Sequence, residues 1–271
     1  MKKKNVRFSE RDKQDVRDRR KYRRIQKDVV KKHGTVLYGK NTIIERLRAN
    51  PESIQTIYLQ DRVQSKFIER MAQEHSISIK YVSEREMSKI KQADRVQGVA
   101  AEVTPFEYAD YADLIAKAEK KKCTLLFLDE ITDPHNLGAI IRSCACFGKI
   151  AIVIPRNSSC GVNDTVMHVA SGGENYVRIA MVNNLRSAVQ EAKEAFITIL
   201  GAIVEDAEDL GKTELKFPLG LVLGSEGGGI RKGIRDLCDA HVKIPMDGAS
   251  LSFNVSNAAA LFCYEIVRQR D

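Results

Sequence analysis

From Cys123 onward, short and almost continuously apolar runs alternate with helix-patterned stretches, and this alternation restricts the chain to few folds. Thr124–Leu128, Ile150–Ile154, Ile197–Leu200, Leu219–Leu223 and His241–Ile244 read as strands without a polar face. A strand that is apolar on both sides must be covered on both, which is how parallel sheets with crossover helices are built. Residues 123–271 are therefore expected to form an α/β domain around a parallel sheet. Upstream, Gly34–Tyr38 leads into a helix read over Asn41–Arg48; Ile54–Leu59, Ile77–Val82 and Gly98–Val103 read as strands, and Lys66–His75 and Glu84–Lys91 as helices. Residues 33–103 thus read as a second, small α/β unit, since about 70 residues suffice for a domain. Residues 104–122 read as a linker followed by a short helix.

Charge divides the chain differently. The 271 residues carry a formal net charge of +8. Residues 1–32 hold 15 Lys/Arg against 5 Asp/Glu, so the rest of the chain is close to neutral. Such a segment lacks the apolar surface to offset its ordering entropy, and it reads as a disordered or transiently helical basic tail, an arm that neutralises phosphates or else a solubilising tail. No apolar run reaches the ~18 residues of a membrane span, and no apolar stretch follows Lys2–Lys4 as in a secretory signal. The six cysteines form no C-x-x-C pair and the five histidines are scattered, so neither a disulfide scaffold nor a zinc site is expected. A soluble, cytoplasmic protein without a metal is the expectation, and no helix-turn-helix or zinc pattern points to DNA.

Three segments carry chemistry. In Asp129–Gly148, Asn136 stands where a helix N-cap is expected, and Leu137, Ile140, Ile141 and Cys144 mark a buried helical face with Arg142 one step beyond it. An arginine near the C-terminal end of a parallel strand is placed for an anion or a developing charge. In Leu221–Ile230, an apolar strand runs into a glycine-rich loop with one acid, Glu226. This loop matches neither the dinucleotide fingerprint nor a phosphate loop, but its glycines allow a ligand close to the backbone. In Lys243–Arg268, an Ile-Pro strand end leads to a small-residue loop with Ser252 and Asn254. A helix with the face Val255, Ala259, Phe262, Cys263 and Ile266 follows.

Together these segments resemble the three motifs of the SpoU/TrmH family of RNA ribose 2'-O-methyltransferases. The matching residues are Asn136 with Arg142, Gly224–Gly227, and Ile244-Pro245 followed by Ser252-Phe253-Asn254-Val255-Ser256. Residues 34–103, ending in Gln97-Gly98-Val99, resemble the RNA-binding domain of the bacterial 23S rRNA guanosine methyltransferase branch. The resemblance implies a SPOUT-type fold with a C-terminal trefoil knot, S-adenosylmethionine as cofactor, an RNA substrate and a homodimer. It implies cofactor contacts at Gly201, Leu223, Gly224, Ile244 and Phe253. It also implies a catalytic group of Arg142, Asn136, Glu226, Ser252 and Asn254. Phe253 stands where the family commonly has an aliphatic residue, and Asn257 where it has an apolar one.

The implied reaction is attack of a ribose 2'-hydroxyl on a sulfonium methyl. By resemblance Arg142 takes or stabilises the hydroxyl proton. A guanidinium ordinarily stays protonated, with a pKa above ~12. The expected part for Arg142 is therefore to hold a phosphate and stabilise the forming alkoxide. Asn136, Glu226 and Asn254 would orient the ribose and Arg142, with Ser252 supporting the loop. The separate N-terminal unit favours 23S rRNA over tRNA as substrate. A resistance-type rRNA methyltransferase and a non-catalytic ribosome-assembly factor are the other readings.

Overall fold

The computed structural model describes residues 35–61, 63, 65–91, 96–121, 123–248 and 251–270; the basic tail lies outside them. Two sheets organise the chain. The first contains β1 (Thr35–Tyr38), β2 (Ile54–Gln60), β3 (Ser78–Val82) and β4 (Val99–Val103) in the order β1-β4-β2-β3. β4 runs antiparallel to both β1 and β2, whereas β2 and β3 are parallel. α1 (Lys40–Ala49), α2 (Lys66–Glu74) and α3 (Glu84–Ile90) connect them. Ile43 and Leu47 of α1 and Ile68 and Ala72 of α2 are fully buried against Leu37, Ile57 and Leu59. Ser83 caps α3 through a capping box with Glu86.

The second sheet holds β5 (Thr124–Leu128), β6 (Ile150–Pro155), β7 (Ile179–Val182), β8 (Thr198–Ala202), β9 (Glu208–Asp209), β10 (Leu219–Leu223) and β11 (Ala240–Lys243). All its pairings are parallel, in the order β7-β6-β5-β10-β8-β11-β9. The five expected strands are present, with β8 and β11 shifted by one or two residues; β7 and β9 are additional. Alternate residues of β5 face opposite cores. Leu126 and Leu128 join α5 (Pro134–Phe147), α6 (Asp164–Ala170) and α9 (Val255–Arg270). Leu125 and Phe127 join α4 (Tyr111–Lys121), α7 (Leu185–Glu194) and α8 (Lys232–Arg235). Helices on both faces explain why the strands read as apolar throughout. Within the segment 104–122, Leu114 and Ala118 of α4 are buried beneath this sheet, and Ala109 bridges to Ala180.

The helix faces agree with their periodicity. Leu137, Ile140, Ile141 and Cys144 are fully buried, and so are Val255, Ala259, Phe262, Cys263 and Ile266 to within a few per cent. Full burial of each of these Leu, Ile, Val and Phe side chains contributes about 1.5–3 kcal/mol relative to leaving it in water. Asn136, in contrast, is not the N-cap of α5. Asp133 is, accepting from the amide of His135 at 2.8 Å. Pro134 at the first helical position has no amide to satisfy and starts the helix earlier, so Asn136 lies inside the first turn. Its side chain is thereby free for another partner.

Candidate active site

The loops after β8, β10 and β11 leave the sheet at the C-terminal ends of neighbouring strands, where ligands bind in open parallel sheets. They enclose a cavity of about 690 Å³. Its wall includes Ala202–Asp206, the stretch Leu223–Ile230, Ile244, Met246, Ser252, Phe253 and Phe262.

The glycine-rich loop is shaped by its own backbone. A Cβ on Gly224 would lie 2.0 Å from the carbonyl carbon of Gly229, so only glycine fits there. Ser225 and Gly229 exchange backbone hydrogen bonds of 3.2 and 2.9 Å, and Gly229 adopts a φ of 61°. This tight reversal holds Glu226 at the loop tip. Its far end is anchored by Asp129, which is fully buried where β5 ends. The Asp129 carboxylate accepts the Arg231 amide at 2.9 Å and the Arg231 guanidinium at 2.9 and 2.5 Å. That hydrogen bonding raises the Arg231 pKa above its ordinary value.

Glu226 meets the other two motifs. Asn136 Nδ2 donates to Glu226 Oε1 at 3.1 Å, and Asn254 Nδ2 donates to Asn136 Oδ1 at 2.9 Å. Asn254 Nδ2 also donates to Glu226 Oε1, closing a three-membered ring of side chains. Asn254 Oδ1 accepts from the amide of Ser256 at 2.9 Å, which fixes the start of α9. The ring joins positions 136, 226 and 254, and Glu226 also lines the cavity. Arg142 lies six residues beyond Asn136 on α5, about 9 Å along the helix axis. It is exposed, and its side chain donates to Ser171 Oγ at 3.4 Å.

The chain matches the SpoU rRNA Methylase family over residues 123–264. It belongs to that family. Residues 36–109 match a second family, described as RNA 2'-O ribose methyltransferase substrate binding. This SpoU methylase is 36% identical over 241 residues to the 23S rRNA (guanosine-2'-O-)-methyltransferase RlmB of Nitrosomonas europaea, covering 88% of this chain and 92% of that protein. It is 35% identical over 239 residues to RlmB of Ralstonia nicotianae, covering 87% of this chain and 96% of that one. Its fold superposes on the SpoU methyltransferase AviRb of Streptomyces viridochromogenes, solved in complex with AdoMet, with a TM-score of 0.71 at 24% identity. That likeness covers 87% of this chain and 90% of AviRb.

Of the residues expected at the cofactor, Leu223, Gly224, Ile244 and Phe253 line the cavity of this SpoU methylase. Gly201 sits behind the wall, where a Cβ would meet the His241 ring at 2.9 Å and Cys238 Sγ at 3.0 Å. Its absent side chain makes room for His241, which does line the cavity. The His241 Nε2 is buried and finds no hydrogen-bond partner among the described residues. Of the residues expected to be catalytic, Asn136, Glu226 and Asn254 come together, Ser252 is on the cavity wall, and Arg142 stands apart beside Ser171. Sequence reasoning missed Asp129, Arg231 and His241. A weak signal existed for Asp129 alone, as an acid ending an otherwise apolar strand. No helix among the described residues is long and apolar enough to cross a membrane, and no cluster of metal-ligating side chains occurs among them.

Proposed function

We propose that this chain is an S-adenosylmethionine-dependent RNA methyltransferase acting on the ribose 2'-hydroxyl of a guanosine in 23S rRNA. The observation that carries the reading is the ring of Asn136, Glu226 and Asn254, which gathers all three motifs at the rim of the cavity. The relatives named as 23S rRNA (guanosine-2'-O-)-methyltransferases support the choice of substrate.

The cavity suits the methyl donor. It combines apolar walls at Leu223, Ile244 and Phe253 with exposed loop backbone, and His241 Nε2 is buried in its wall without a partner among the described residues. When bound, S-adenosylmethionine supplies a methyl group already activated by its sulfonium. The chain's residues then have two tasks, to position the ribose and to receive a growing negative charge. Leu223, Gly224, Ile244 and Phe253 hold the donor, with Gly201 shaping the wall through His241. Glu226 and Asn254 orient the ribose at the rim, Asn136 fixes both, and Ser252 supports the loop. Arg142 holds the backbone phosphate and stabilises the alkoxide as the 2'-hydroxyl loses its proton to solvent.

The matched segments 36–109 and 123–264 support a division into an RNA-binding domain at 33–103, a linker at 104–122 and a catalytic domain at 123–271. The basic tail at 1–32 adds salt-sensitive attraction to RNA. A trefoil knot fits the insertion of β10 between β5 and β8. A homodimer through the catalytic domain would cover Leu251, Phe253, Leu261 and Tyr264, which are exposed beside the cavity and along α9. The bacterial rRNA methyltransferases that this chain resembles support a cytoplasmic setting.

The test is incubation of the full chain with S-adenosylmethionine and 23S rRNA or bulk tRNA. The 2'-O-methylated nucleosides are then identified by mass spectrometry. A 2'-O-methylguanosine in 23S rRNA supports the reading, whereas a mark confined to tRNA would replace the substrate.

A further inference from the structure

The N-terminal sheet unit docks on the short segment that supports Arg142. Ser171 caps the C-terminal end of α6 with a left-handed φ of 53°, and Gly172 continues with a φ of 89°. Two successive glycines then face opposite ways. A Cβ on Gly172 would lie 2.4 Å from Glu45 Cβ on α1. A Cβ on Gly173 would lie 3.2 Å from Arg142 Cα and 3.3 Å from Ala145 Cβ on α5. The segment is therefore clamped between the helix of the N-terminal unit and the helix that carries Arg142.

The clamp is polar as well as steric. Arg46 Nη2 of α1 bonds Glu174 Oε1 at 3.0 Å, with both side chains almost completely buried. Arg46 also reaches Met167 Sδ at 3.6 Å. The Tyr38 and His168 rings stack at 4.1 Å, and Tyr176 donates to Glu45 at 2.8 Å. Arg46 Nε and Glu174 Oε2 have no partner among the described residues. Burial raises the Glu174 pKa even beside Arg46 and lowers that of Arg46 even beside Glu174. A buried pair that is incompletely satisfied adds little stability, so its value lies in the direction it imposes.

We propose that Glu174 and Ser171 are positioning residues for Arg142, and that Arg46 of the N-terminal unit holds them in register. Seating the RNA-binding unit would thereby orient the arginine used in the reaction. This rests on the proposed methyltransferase activity. Ser171 presents its hydroxyl to the Arg142 guanidinium, Gly173 supports the Arg142 backbone, and Glu174 ties both to α1.

Full-length wild type, Glu174→Gln and Gly173→Ala are compared by methyl transfer to 23S rRNA under saturating and limiting RNA, with S-adenosylmethionine binding measured by calorimetry. In both variants the saturating rate is expected to fall about tenfold or more, with the KM for RNA and the cofactor Kd within about threefold of wild type. If Glu174→Gln does not fold, Arg46→Lys replaces it, retaining the charge and losing the planar fork. A raised KM with an unchanged saturating rate would overturn the proposal, because the junction would then only place the RNA. Equal loss of rate and cofactor binding would overturn it as general damage. Wild-type protein inert on 23S rRNA and tRNA would overturn the methyltransferase reading and, with it, this proposal.

Discussion

The Asp129 carboxylate, fully buried at the end of β5, holds both the backbone amide and the guanidinium of Arg231 at the exit of the glycine-rich loop. Neighbouring Leu223, at the loop's entry, accepts the Asp129 amide at 2.8 Å. One residue thus fixes both ends of the loop that presents Glu226. Replacing Arg231 by Met leaves a buried carboxylate with only the amide contact. The expected loss is about 3 kcal/mol of stability, read by urea unfolding. Asp129→Asn should cost less, since Arg231 is half exposed and can turn to water. Both variants should weaken S-adenosylmethionine binding in calorimetry, and unaltered affinity would show that the loop keeps its shape without the clamp.

Gly224→Ala tests the loop reversal directly. The new methyl would collide with the backbone of Gly229 and Ile230 at 2.0–2.3 Å, where no side-chain rotation gives relief. Cofactor affinity should fall by about 100-fold or more, a loss of roughly 2.7 kcal/mol or greater. Far-UV circular dichroism should still report the folded sheet, because Gly224 lies beyond β10.

Asn136→Ala and Asn254→Ala each open the same ring, so their effects should not add. Each single substitution is expected to lower the saturating rate about 10- to 100-fold, and the double variant little further. Steady-state kinetics on 23S rRNA checks this. Additive losses would mean that the two asparagines act independently.

The parallel sheet was legible because strands such as Leu219–Leu223 and Ile150–Pro155 are apolar on both faces, a pattern few other folds produce. β9 gave no such signal, being two acidic residues paired to the sheet edge. The start of α5 was misplaced by reading Asn136 as a cap, although Pro134 and Asp133 supply the stronger chemistry. The motif residues pointed to one site through the family pattern. Their actual partners did not follow from it, since Asp129 and Arg231 are 102 positions apart and meet only through the adjacency of β5 and β10. That the missing side chain of Gly201 accommodates His241 on the next strand could not be read from the sequence. Such cross-strand relations appear only once register is known.

Glu174 also predicts a pH effect. Burial raises its pKa in the native state, with Arg46 and the Asn175 amide only partly offsetting this. The native protein therefore holds that proton more tightly than the unfolded chain, whose value is about 4.3. The contribution is fully present below that value and is lost as pH rises through the raised native value. The stability of wild type relative to Glu174→Gln should consequently be greater near pH 4 than near pH 7 in paired urea titrations. The opposite slope would show that Arg46 dominates the charge state of Glu174.

Transfer of a methyl group to ribose can be followed with isotope-labelled S-adenosylmethionine. Wild type and Arg142→Ala are incubated with unmodified 23S rRNA, which is then digested to nucleosides and resolved by mass spectrometry. The expected result is label on the 2'-oxygen of guanosine with wild type, reduced about 100-fold or more with Arg142→Ala. Label on a base, or equal labelling by the two proteins, would contradict it.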